Sequence, residues 1–161
     1  MRQLLLSTLI FFSLGFSGIA KHQIEIALCF DDSSAVRWKV ENHFISQKVK
    51  EYGGTTYTFF SGGNTETQKA QIRAMIAKKV DVIVVVASDG EKIAPVIREA
   101  NKKKIKVIAY DRLIPDCHLE YYISFDNVEI GRKMAESCLS SSPKGNYVLL
   151  GGPSKDNNAI L

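Results

Sequence analysis

The sequence predicts an α/β fold, an open parallel sheet with helices on both faces. Three observations point there. Short apolar, β-branched runs alternate strictly with segments of helical period along the chain. Several of those runs are near-continuous in apolar character, as strands buried on both faces are. Polar and aromatic side chains collect where the runs stop: Arg37-Trp38 after the first, Asp111-Arg112 after the fourth, and Asp156-Asn157-Asn158 after the last. In open parallel sheets, ligands bind outside the carboxyl ends of the strands.

The first twenty residues stand apart from this pattern. Met1-Arg2 is followed by an apolar run, Leu4 to Phe16, and then by small residues at Gly18 and Ala20. One positive charge, a short apolar core and a small-x-small end describe a secretory signal, with cleavage expected after Ala20. The run is too short and too polar for a membrane-spanning helix, which needs about 20 predominantly apolar residues. Removing it leaves 161 − 20 = 141 residues carrying +4 − 1 = +3, because Arg2 is the only charge lost. That length suits one folding unit with a substantial core. A charge of +3 in mixed-sign sequence gives no nucleic-acid footprint. The densest basic cluster, Lys102-Lys103-Lys104, falls where a helix should end, and cations there complement the helix dipole.

The elements follow in order. Ile24 to Phe30 is the first strand, and Asp31-Asp32-Ser33-Ser34 after it is rich in capping side chains. The next helix carries Val36, Val40, Phe44, Val49 and Tyr52 and stops at Gly53-Gly54. Thr55 to Phe60 is the second strand. Thr65 and Gln68, three apart, offer a capping box for a helix bearing Ile72, Met75 and Ile76. Val82 to Ala87 is the third strand, and Ser88 to Glu91 offers a second capping box. The helix beyond it carries Ile93, Val96, Ile97 and Ala100. Ile105 to Tyr110 is the fourth strand and Tyr121 to Ser124 a short fifth. Val128, Gly131, Met134, Ala135, Cys138 and Leu139 line another helix, and Asn146 to Leu150 reads as a sixth strand. The last residues look like the start of a helix that does not continue. A single turn cannot sustain itself, so the chain reads as one lobe of something about twice as long.

The three cysteines, Cys29, Cys117 and Cys138, have no C-x-x-C spacing or paired histidines, so no metal site is implied. Cys29 and Cys138 read as buried small hydrophobes. The first strand–helix turn holds two carboxylates where a dinucleotide fold needs glycines, so dinucleotide cofactors are disfavoured. A phosphoacceptor receiver needs an aspartate after the third strand, and Ala87-Ser88 stands there. A G-x-S-x-G nucleophile elbow is absent. Adjacent Asp31 and Asp32 point in different directions, and capping suits them better than acid–base work. The sequence points to a binding protein, not an enzyme, and implies no cofactor.

The residue types at the strand ends suit a neutral sugar. Asp accepts, Arg donates in a fixed fork and Asn does both, so they can satisfy vicinal hydroxyls in pairs. The indole of Trp38, the single tryptophan, offers a flat apolar surface to a ring face. Taken singly, Trp38 reads as core and Arg37 as solvated, and Asp111-Arg112 could also be a local ion pair. Their convergence at three strand ends favours the site.

The residues Asp31-Asp32 with Arg37-Trp38, Glu66-Thr67-Gln68, Lys106 to Arg112, Tyr122 to Asn127, Gly145-Asn146-Tyr147 and Asp156-Asn157-Asn158-Ala159 carry a resemblance. The chain resembles the N-terminal, Rossmann-like lobe of type I periplasmic sugar-binding proteins of the ribose/galactose type, in their xylose-binding branch. The resemblance implies that Arg37, Asp111, Arg112 and Asn158 hydrogen-bond the sugar and that Trp38 stacks on or walls it. It also implies a periplasmic location, D-xylose as the favoured monosaccharide, and a membrane permease of an ABC transporter as partner. A sensor kinase is the alternative partner. Residues 1–20 are then the signal peptide and 21–161 the sugar-binding lobe.

Overall fold

The first apolar run becomes β1 (Glu25–Phe30) in the computed structural model, which describes residues 22–152 and Asn158. The expected signal segment and Asp156-Asn157 lie outside the described residues. α1 (Val36–Glu51), β2 (Thr55–Phe60), α2 (Thr65–Lys78), β3 (Val82–Val85), α3 (Gly90–Lys102), β4 (Lys106–Tyr110), β5 (Tyr121–Ile123) and α4 (Asn127–Ser141) follow. The strands form one parallel sheet in the order β2-β1-β3-β4-β5, as the strict alternation predicts.

β1 and β3 sit centrally, which is why they are the most apolar runs. Ala27 to Phe30 are essentially inaccessible to solvent. The larger core lies beneath α2 and α3, where Ile72, Ile83, Ile93, Ile97 and Val107 are completely or almost completely buried. The opposite face is covered by α1 through a smaller cluster of Leu28, Phe30, Trp38 and Val86. β2 alternates accordingly: Tyr57 and Phe59 pack toward the larger core, while Thr56 and Thr58 face α1.

Five expectations are corrected. The inward face of α1 is Trp38 and Ile45, not Val36, Val40 and Phe44, which stand exposed. Polar contacts set that docking: Thr58 donates to Asn42 at 2.7 Å and Thr56 to Ser46 at 3.1 Å, so apolar spacing alone picks the wrong face. Ala35 is the N-cap of α1 and makes no side-chain cap; Asp32 instead accepts from the Ser34 backbone N–H at 2.9 Å and from its hydroxyl. The caps of α2 and α3 are Asn64 and Asp89, which accept from Thr67 and Lys92 backbone N–H groups. Residues 146–150 form no strand: β5 offers only a short, exposed edge, and Val148 to Leu150 are 85–93% exposed, with no neighbouring strand among the described residues. α4 buries none of its residues, so Cys138 is exposed, while Cys29 is buried as expected.

The turn after α1 needs its glycines. Gly53 has a φ of 79°, and a Cβ on Gly54 would lie 2.7 Å from the Val49 side chain and 3.1 Å from the Ile24 carbonyl. This close approach brings β2 alongside β1. The lysine cluster ends α3 as anticipated, with Lys103 as its C-cap.

Candidate functional site

The carboxyl ends of β1, β3 and β4 bring four of the charged side chains into two crossed pairs. Arg112, just past β4, donates from Nη1 to Asp31 Oδ2 at 2.7 Å and to the Ala87 carbonyl at 2.9 Å. Asp111 pairs across to α1, with Arg37 Nη2 3.0 Å from its Oδ1. The neighbouring Asp111 and Arg112 thus choose partners on other elements. Asn158 completes the cluster, donating to the Asp111 carbonyl at 3.1 Å and to its Oδ2 at 3.4 Å.

Asp111 is the hub, and its backbone shows it. Its φ of 67° lies in the left-handed region, and the Arg112 N–H returns to the Tyr110 carbonyl at 2.8 Å, closing a three-residue turn. Such a conformation costs on the order of 1–3 kcal/mol and persists only when its surroundings over-determine it. Here they do. The Asp111 N–H donates to Ile123 at 2.7 Å, and the Asp111 carbonyl accepts from the Ser124 hydroxyl at 2.7 Å as well as from Asn158. The turn reverses the side chains after β4, so that a carboxylate and a guanidinium both reach the sheet end.

Electrostatics favour the charged form of Arg37. Burial pulls the Arg37 guanidinium down, but the carboxylates of Glu41, 2.6 Å from Nε, and of Asp111 more than offset it, so the net shift is upward. Asp31 is nine-tenths buried, and its Oδ1 has no hydrogen-bond partner among the described residues. A buried acceptor left this way is a place for a ligand hydroxyl to donate.

Trp38 is placed differently from an open platform. It is 5% exposed, packed on Phe30 and Tyr110 at centroid distances of 6.1 and 6.4 Å. The Arg37 guanidinium lies over its ring at 4.4 Å. Phe125, whose ring is 5.4 Å from the same guanidinium, is 62% exposed and offers an aromatic face to solvent here. Asp31, Ser124 and Phe125 were not among the site residues anticipated. Ser124 and Phe125 directly follow β5, the strand beside β4, which is the positional signal that marks them.

A groove of about 1000 Å³ lies at the other end of the sheet, lined by Ile24, Ile76, Val80, Asp81, Ile105 and Lys106. Of its charged groups, Arg73 pairs with Glu99 and Lys106 with Glu120. Among the described residues no cluster could hold a metal ion, and no helix is long and apolar enough to cross a membrane.

The model of the periplasmic binding protein domain matches residues 26–161. The chain belongs to this family. Its members are binding proteins, and the parallel sheet is the lobe architecture of its type I branch. The chain is 38% identical to the D-xylose-binding periplasmic protein of Escherichia coli over 92% of its own length and 46% of that protein. It is 40% identical to the protein of the same name from Haemophilus influenzae, over 86% of this chain and 42% of the relative. It therefore spans a little under half the length of these relatives. Among solved structures, a solute-binding protein of an ABC transporter from Clostridium phytofermentans with bound β-D-glucose superposes with a TM-score of 0.80 at 28% identity, covering 84% of this chain and 44% of the other. The fructose-binding periplasmic domain of a hybrid two-component system superposes at 0.77 and 27%, over 86% of this chain and 46% of that one.

Proposed function

We propose that this chain is the N-terminal lobe of a two-lobed periplasmic receptor that binds a monosaccharide, with D-xylose favoured, and presents it to the permease of an ABC importer. The observation that carries the proposal is the pair of crossed ion pairs, Asp31–Arg112 and Arg37–Asp111, with Asn158 on Asp111, all at the carboxyl end of the sheet. Donors and acceptors are interleaved there at hydrogen-bond spacing, which is what adjacent sugar hydroxyls need, since each both donates and accepts. The names of the two D-xylose-binding relatives support the choice of pentose.

In this reading the sugar inserts its hydroxyls between groups that now pair with each other. Arg112 keeps its hold on Ala87 and turns a second donor to the ligand. Asp111 accepts from one hydroxyl while Asn158 bridges its neighbour. Arg37 shifts toward the sugar, which uncovers the Trp38 ring for the pyranose face. A second lobe, closing from the other side, excludes water and strengthens each bond. A signal peptide over residues 1–20, cleaved after Ala20, belongs to the same proposal and accounts for export.

A sensing role is the second reading. The similarity to the fructose-binding domain of a two-component system favours it, because the same cleft serves either output. Calorimetric titration of the two-lobed receptor with D-xylose, D-ribose, D-galactose and D-glucose tests the proposal. Saturable binding of D-xylose supports it, binding of another sugar alone corrects the ligand, and no heat with any sugar from folded protein overturns it. A receptor that binds sugar yet restores no uptake to a strain lacking its own xylose receptor, and instead activates a kinase, assigns the sensing role.

A further inference from the structure

We propose that Gln68 is the positioning residue for Arg112, acting through the peptide group between Ala87 and Ser88; this rests on the sugar-binding reading above. Gln68 lies on the first turn of α2, where the residue spacing suggests a helix cap, yet Asn64 does the capping. Its side chain is instead completely buried between the carboxyl ends of β1 and β3. A buried primary amide must satisfy both its ends. Its Nε2 donates to the Val86 carbonyl at 2.8 Å and, more distantly, to the Cys29 carbonyl at 3.4 Å. Its Oε1 accepts from the Ser88 N–H at 2.9 Å.

That last contact has a geometric consequence. The Ser88 N–H and the Ala87 carbonyl belong to one planar trans peptide, so they point in opposite directions. Fixing the N–H on Gln68 aims the carbonyl away from it, and that carbonyl is the acceptor of Arg112 Nη1 at 2.9 Å. The same Nη1 donates to Asp31 at 2.7 Å. A continuous chain therefore runs from the Gln68 amide, through one peptide group, to the guanidinium at the sheet end. Such chains polarise each bond in turn. The Val86 carbonyl, one residue earlier, is held by the same amide, so the segment cannot rotate about either neighbour. Ser88 adds a further tie, its hydroxyl donating to Thr65 at 3.0 Å. The β1–β3 ladder ends with Val86 N–H on Cys29 at 3.0 Å, and Gln68 takes over where the ladder stops.

The test uses the two-lobed receptor with ¹⁵N-labelled arginine, comparing native protein with Gln68→Met, which keeps the volume but loses the amide. The guanidinium resonances of Arg112, assigned by their loss in Arg112→Lys, report its order without any sugar present. Gln68→Met should move them to the position and exchange rate of solvated arginines, and weaken sugar binding about tenfold or more, with the melting transition still above the assay temperature. Unchanged Arg112 resonances in the variant overturn the inference, whatever happens to affinity. If Gln68→Met does not fold, Gln68→Glu retains the acceptor for Ser88 while losing the donor to Val86, and native-like Arg112 resonances are then expected; solvated ones overturn the proposal. Should the native receptor bind no sugar, the sugar reading fails, while the Arg112 resonances still decide the role of Gln68.

Discussion

Replacing Arg112 with alanine removes a guanidinium that holds two groups at once, Asp31 at 2.7 Å and the Ala87 carbonyl at 2.9 Å. Breaking a fully buried pair by removing one partner costs about 3–5 kcal/mol, because the other charge is left uncompensated. Here the side chains are 21% and 13% exposed, so solvent relieves part of that penalty. Allowing for this, we expect about 2–3 kcal/mol, between the buried and the exposed limits. With a urea dependence of about 1–3 kcal/mol per molar, the unfolding midpoint of the receptor should fall by roughly 1–2 M. The companion variant, Arg112→Met with Asp31→Leu, removes both charges and should lose less than Arg112→Ala alone, since no orphaned carboxylate remains. Urea titrations followed by far-ultraviolet circular dichroism measure both. A midpoint for Arg112→Ala within about 0.3 M of native, or a double variant that loses more than the single, would refute the reasoning.

Three further outcomes follow from other parts of the fold. Asp81 is held below its ordinary 3.8 by the Glu25 N–H and then by His22, and Glu25 below its ordinary 4.5 by the Tyr57 hydroxyl and then by Lys78. Depressed carboxyl values stabilise the fold above those ordinary values and lose that contribution as pH falls through the folded ones. The melting-temperature gap between native and Asp81→Ala protein should therefore narrow from pH 6 to about pH 2.5, and a constant gap contradicts it. Burial pushes the Cys29 thiol up to about 12, whereas Cys138 is exposed, so a thiol reagent at neutral pH should label Cys138 in the native lobe and Cys29 only after unfolding; mass mapping decides. Ile97→Ala, at a fully buried position between α3 and the sheet, should cost about 2–5 kcal/mol in a urea titration without altering sugar affinity per folded molecule.

The parts of the fold written in local sequence were legible. β2 falls on Thr55–Phe60 as read, and the stripe of Ile93, Val96, Ile97 and Ala100 is the buried face of α3, because strong periodicity there matches strong burial. α1 was misread for the converse reason. Its docking depends on Asn42 and Ser46 meeting threonines of β2, and a count of apolar residues does not see polar contacts between elements. The sixth strand failed because a strand exists only with a neighbour, and among the described residues none lies beside Val148 to Leu150.

The candidate site was legible as a gathering of side chains and not as a network. Arg37, Asp111, Arg112 and Asn158 do gather at one sheet end, since topology places every strand terminus there. Trp38 joins them beneath Arg37 instead of facing solvent. The crossed pairing could not be read, because it turns on the φ of 67° at Asp111, a conformation that aspartate tolerates more readily than most residues but adopts only where long-range contacts hold it. The task of Gln68 was hidden for a related reason: its spacing from Thr65 satisfied a capping motif, while its partners lie 18 to 39 residues away.

The most direct test of the central claim is a crystal structure of the two-lobed receptor grown with D-xylose. We predict the sugar at the carboxyl end of this sheet, with its oxygens within about 2.7–3.2 Å of Asp111, Arg112 and Asn158, and Arg37 moved from its present place over Trp38. A sugar bound elsewhere, with the Arg37–Asp111 and Asp31–Arg112 pairs still closed on each other, would contradict the account.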